Sequence, residues 1–120
     1  MTRIAHIAIH DDWVAARRLG EYEVSTRGVP LADTGFIQAV ALDRVGEVLR
    51  GYDDSRFAVL IVVLEPGELE TAGVTVRASG DPGSFHIDGA LPTETAAVVA
   101  VVPVDRRDGA LVPPDLSSFA

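Results

Sequence analysis

The chain predicts an α+β domain in which strands outnumber helices. Three observations point there: several short runs rich in β-branched residues, only two stretches with helical spacing, and connections mostly too short for regular βαβ crossovers. At 120 residues it is the size of one ordinary domain, so residues 1–120 are read as a single unit.

The elements follow in order. Arg3 to Ile9 reads as a β-branched strand, and Asp11 or Asp12 can cap the helix after it by accepting an exposed backbone N–H. That helix runs to about Leu19, with Gly20 as its stop. Glu21 to Thr34 lacks sustained periodicity and reads as an irregular loop with one short strand around Tyr22; loops of this length often carry function. Phe36 to Val40 is a short strand. Leu42, Val45, Val48 and Leu49 then recur at helical spacing, and Gly51 closes this second helix.

Phe57 to Leu64 is an unbroken apolar run, the mark of a strand covered on both faces and the expected centre of the sheet, with Glu65-Pro66-Gly67 ending it. Val74 to Ala78 alternates as a strand, Gly80 to Gly83 is a turn, Phe85 to Asp88 is a short strand and Ala96 to Val104 a long apolar one. The tail from Leu111 is expected to lie extended over the surface.

Composition excludes several function classes. A net charge of -8 opposes attraction to phosphate backbones and anionic lipid, so neither a nucleic-acid nor a membrane partner is expected. All 10 basic residues are Arg, which removes lysine Schiff-base chemistry, and the absence of Cys removes thiolate nucleophiles and cysteine-ligated metals. The longest apolar run has eight residues against the ~20 that span a bilayer, and no signal-peptide layout opens the chain, so a cytoplasmic protein is expected.

Of the three histidines, His6 shares a strand face with Ile4 and Ala8, while His86 shares one with Asp88 and opposes Phe85 and Ile87. His86 and Asp88 either point together into a cleft, or Asp88 with Gly89 is a turn and His6 a hydrogen-bonded strand histidine. His6 and His10 have the spacing of helical zinc ligands, but on a strand that spacing is about 13 Å, and no metal is expected. The turn Gly80 to Ser84 lacks the lysine and the following helix of a phosphate loop. Acidic neighbours such as Asp11-Asp12 and Asp53-Asp54 read as solvated or capping. Trp13, Tyr22 and Phe36 form either a hydrophobic cluster or one wall of a ligand cleft. Gln38, the only glutamine, stands in an apolar strand.

The order of short motifs resembles a bacterial family, domain of unknown function 952. These are AHIA from Ala5, DDW from Asp11, GEY from Gly20, GFI from Gly35, EPGEL from Glu65, FHIDGAL from Phe85 and LVPP from Leu111. The resemblance covers nearly the whole chain. It implies an ADP-ribosyltransferase-like fold in which two packed, bent sheets form a cleft holding NAD, here with two helices. It implies that His6 and Gln38 orient a ribose or amide, that His86 and Asp88 face the reacting centre, and that Trp13, Tyr22 and Phe36 line the pocket. NAD enters as substrate, and the expected partner is a small molecule.

Two positions depart from the family pattern. Gln38 stands where histidine is usual and Asp88 where tyrosine is usual; an amide can hydrogen-bond but cannot shuttle a proton. The resemblance therefore leaves three readings: an NAD- or nucleotide-binding transferase-like domain, a non-catalytic binding module on that scaffold, and an enzyme of other small molecules using His86 as acid or base.

Overall fold

The first strand, β1 (Ile4–Ile9), has five of its six residues buried, because its alternating side chains feed two separate apolar clusters. Ile4 and Ala8 enter one, Ala5 and Ile7 the other. The structure is a computed structural model that describes residues 2–53 and 56–120, so Asp54 of the acidic pair noted above lies outside the described residues.

Helix α1 (His10–Leu19) follows β1 directly. Ile9 is its N-cap, and Asp11 and Asp12 do not cap it but sit in its first turn, where carboxylates favour the positive end of the helix dipole. Gly20, at φ 84°, closes the helix as expected. The segment read as a loop holds three strand pieces, β2 (Glu21–Tyr22), β3 (Val24–Thr26) and β4 (Val29–Pro30), and one short helix, α2 (Leu31–Thr34). Their brevity explains the missing periodicity: no piece is long enough to show one.

Strand β5 (Ile37–Ala41) leads into a helical segment that is not one regular helix. A 3-10 turn at 42–44, α3 (Val45–Leu49) and a second 3-10 turn at 50–52 follow one another, so Gly51 lies inside the last turn instead of ending a helix. Strand β6 (Val59–Leu64) is buried at all six positions. Glu65-Pro66-Gly67 does end it, but Pro66 also starts α4 (Pro66–Thr71), a first-turn site where the missing proline N–H costs nothing. Strands β7 (Thr75–Ala78), β8 (Ser84–Asp88), β9 (Leu91–Pro92) and β10 (Val98–Pro103) complete the middle of the chain. The tail is not merely extended: β11 (Asp105–Arg107) and β12 (Ala110–Val112) form a hairpin, and Leu111 and Leu116 are buried.

Among the described residues six strands form one antiparallel sheet in the order β10-β6-β1-β5-β8-β7, beside three two-stranded ribbons. The fold is thus α+β, with a large antiparallel sheet and few helices. Strand β6 is covered on both faces but lies one place from the edge; β1 and β5 are central. The two central strands are weakly joined. Strand β1 pairs with β6 through six residues but with β5 only at Ile4↔Ala41 and Ala5↔Val40. Beyond those pairs the sheet divides into halves, β10-β6-β1 and β5-β8-β7.

Segment 22–26 runs through this division. Tyr22 and Val24 belong to the cluster on one face, together with Trp13 of α1 and Leu69 of α4, whereas Thr26 bonds Tyr52 of the cluster on the other face. That second cluster is closed by Val45 and Leu49 of α3 and by Leu111 and Leu116 of the tail. Its cover stops near Val40, which leaves the same face of β5-β8-β7 half-exposed.

Candidate functional site

The half-exposed face takes its side chains from alternation and register. Gln38 stands directly opposite His86, and His86 directly opposite Arg77, so the three form a row across β5, β8 and β7. Ser84 and Asp88 flank His86 on β8, and Phe36 precedes Gln38 by two residues. The register is fixed from outside the row by Arg44. Its guanidinium donates to the Pro82 carbonyl and to Asp81 at 3.4 Å, clamping the turn before β8, while it also pairs with Glu47. The Ala41 N–H closes the same corner onto the Gly83 carbonyl at 2.8 Å.

Within the row Gln38 and Arg77 already have partners. The Gln38 amide donates to Ser84 Oγ at 2.8 Å. Arg77 grips Asp88 with two N–H groups, Nε to Oδ2 and Nη2 to Oδ1, the latter at 2.8 Å. This hydrogen-bonded guanidinium holds the Asp88 carboxyl below the usual carboxylate range, with a smaller contribution from His86. The imidazole of His86 stacks on Phe36, ring centroids 3.6 Å apart and planes 11° from parallel. Neither ring nitrogen of His86 makes a hydrogen bond among the described residues.

His6 lies elsewhere. Ala5 and Val40 are opposite one another and share a face, so alternation turns His6 to the face away from Gln38. It is 1% exposed, with Nδ1 at 2.6 Å from the Gln38 carbonyl and Nε2 at 2.8 Å from the Tyr22 hydroxyl. A carbonyl only accepts, so Nδ1 carries the proton and Nε2 accepts from the Tyr22 O–H. Burial lowers its pKa to about 4 against the support of the Gln38 carbonyl, and the ring is neutral at pH 7. The role is structural: Ala41 donates towards β8, so the Gln38 carbonyl, three residues earlier, points at β1 across the division, where no ladder partner reaches it. His6 supplies the missing donor.

The expectation that His6, Gln38 and His86 line one cleft is therefore corrected in part. The three stand on adjacent strands, β1, β5 and β8: Gln38 meets His86 across the sheet and shares the lining of one small cavity with His6, but His86 does not border that cavity and the His6 ring holds the Gln38 carbonyl from the other face. Trp13 and Tyr22 are also removed from the ligand wall. They are 2% and 1% exposed, tilted against each other with centroids 5.3 Å apart, and packed with His6 in the core. Of the three aromatics only Phe36 reaches the face, because it alone leads into β5, two residues before Gln38, whereas Trp13 is on α1 and Tyr22 on β2. Burial pushes the Tyr22 phenol far above its ordinary pKa, so it is un-ionised. His10 is exposed and donates to Asp11 at 3.1 Å, away from the row.

Sequence patterning alone does not single out Arg77 and Ser84. The signal was present: Ser84 shares strand parity with His86, and Arg77 is the charged residue inside an alternating strand. What sequence lacked was the β7–β8 register. Among the described residues no group of three or more His, Asp or Glu could hold a metal ion. The face itself is shallow. A cavity of about 10 Å³, one water in size, sits in the division and is lined by His6 and Gln38 together with Thr26 and Tyr52. A larger one of about 440 Å³ lies between Leu42–Gly46 and the tail at Pro113–Ser117.

No family model and no curated protein matches the chain. Among solved structures, the crystal structure of protein CC0527 from Caulobacter crescentus matches with a TM-score of 0.65 at 22% identity, over 92% of this chain and 94% of that one. A double mutant of the same protein matches equally well. At this identity the likeness speaks for the fold alone, an α+β arrangement with a large antiparallel sheet.

Proposed function

We propose that this chain is a small-molecule-binding domain of the ADP-ribosyltransferase-like kind, related to domain of unknown function 952. Its ligand would be NAD or a related nucleotide or phosphosugar, met in the cytoplasm. The observation that carries the reading is the Gln38–His86–Arg77 row, a polar line that runs from half-buried Gln38 and His86 to exposed Arg77. Its groups suit such a ligand: the Gln38 amide can read a ribose hydroxyl or carboxamide, Arg77 can share its fork with a phosphate, and the His86 imidazole offers a ring face. The division of the sheet into two halves between β1 and β5 supports the two-sheet scaffold.

Binding is favoured over ribosyl transfer. Stabilising a developing ribosyl cation calls for an uncompensated carboxylate, and the Asp88 charge is already neutralised by Arg77. Gln38 cannot move a proton, and His6 has both nitrogens engaged. The enzymatic alternative rests on His86, whose nitrogens are free to serve as acid or base.

Thermal unfolding with NAD, ADP-ribose and nicotinamide tests the proposal. A ligand at 100 times its Kd stabilises by about 2.7 kcal/mol, which for a chain of this length raises Tm by about 10 °C. Arg77→Ala and Gln38→Ala should each reduce the shift; no shift with any of the three ligands would sink the reading. Release of nicotinamide that is lost in His86→Ala would instead establish catalysis.

A further inference from the structure

The Phe36–His86 stack differs from the other ring pairs of the molecule. His6–Tyr22 and Trp13–Tyr22, both in the core, meet at 65° and 52° with centroids more than 5 Å apart, the edge-on or tilted arrangement that rings with like-signed faces prefer. Phe36 and His86 instead lie nearly parallel, 11° apart with centroids at 3.6 Å, a face-to-face stack unlike the other two pairs. Phe36 packs into neither apolar cluster. Its backbone is tied to the Thr34 side chain at 2.9 Å, and His86 is its one ring partner among the described residues. It follows Gly35, whose φ of 84° is open to glycine and strained for other residues, and no atom lies within 4 Å of where a Cβ would stand there.

We propose that the Phe36 ring is the site's own occupant: it lies on the His86 imidazole where a planar ring of a bound ligand would lie, and it swings away about Gly35 to admit one. This explains why so polar a row has no depth: the space above His86 is filled by a side chain of the same chain. The contact is self-inhibitory, since it caps the one histidine of the face whose nitrogens are free. A ligand must displace this ring, and apparent affinity falls by the fraction of time the ring is open. The inference rests on the preceding reading for the place of the ligand, though not for the closed state.

The test compares the native protein with Phe36→Ala and Phe36→Ser. Diethyl pyrocarbonate acylates accessible neutral imidazoles, and peptide mass spectrometry reads His86 against exposed His10 as internal control. Both variants should raise the His86/His10 rate ratio several-fold; an unchanged ratio would overturn the gate. Calorimetric titration with nicotinamide and with adenine is the second arm. If Phe36 competes with the ring and is open for a tenth of the time, its removal tightens binding about 10-fold. Equal or weaker binding by the variants would show a ligand platform and also overturn the gate. If neither compound binds any of the three proteins, the nucleotide reading falls, and the acylation ratio alone decides the gate.

Discussion

Replacing His6 by asparagine tests how the two halves of the sheet are held together. Asparagine keeps a donor near the position of Nδ1 and cannot titrate, but it leaves the Tyr22 hydroxyl without its acceptor. A buried group left unsatisfied costs about 1–3 kcal/mol, so His6→Asn should destabilise by that amount at pH 7. The pH dependence is more diagnostic. The unfolded chain takes up a proton on this histidine below pH 6.5, the native chain only near pH 4. Native stability is therefore whole above pH 6.5 and falls as pH drops towards 4, by up to about 1.4 kcal/mol per pH unit. At pH 4.5 the native protein should have lost about 2–3 kcal/mol that the non-titrating variant does not lose, so the stability difference between the two proteins shrinks or reverses. Urea unfolding at pH 7 and pH 4.5 measures this, with Trp13, the only tryptophan and 2% exposed, as the fluorescent reporter. A difference equal at both pH values, within about 0.5 kcal/mol, would refute a buried neutral His6.

Two further expectations concern the frame of the site. Gly83→Ala would place a Cβ 2.5 Å from Arg44 Cδ at a φ of +77°, so it should cost about 1–3 kcal/mol in urea unfolding. Adding Arg44→Ala should recover only the steric part, and a Gly83→Ala protein as stable as the native one would show that the clamp is not closed. Leu116→Ala, removing a 7% exposed side chain from the cluster below α3, should cost about 2–4 kcal/mol. A loss under about 0.5 kcal/mol would mean that the tail lies loosely on the surface after all.

Much of the local structure was legible in the chain. Strands β1, β6, β7, β8 and β10 announce themselves by β-branched or alternating runs, and Gly20 marks its helix end because only glycine adopts that φ freely. Helix α4 was hidden by Pro66: in sequence a proline after a strand reads as a stop, and only the path of the chain tells a stop from the first turn of a helix. Of the segment from 21 to 34 only the strand around Tyr22, β2, was legible; the pieces from β3 to α2 were hidden by length, since two to four residues show no period.

Strand parity was enough to set His86 and Asp88 on one face, and Phe36 and Gln38 on one face. It could not say that these are the same face, because that depends on β5 and β8 pairing with Gln38 opposite His86, a contact between residues 48 apart in the chain. Nor could it place His6. A histidine on a β-branched strand satisfies the same sequence pattern whether it looks into a cleft or into a core. The choice was made by the division between β1 and β5, which leaves the Gln38 carbonyl without a ladder partner and gives a buried imidazole something to satisfy. The chain's own pattern determined which residues are polar on which strand; long-range register and the unpaired backbone groups it creates decided which of them form a site and which hold it up.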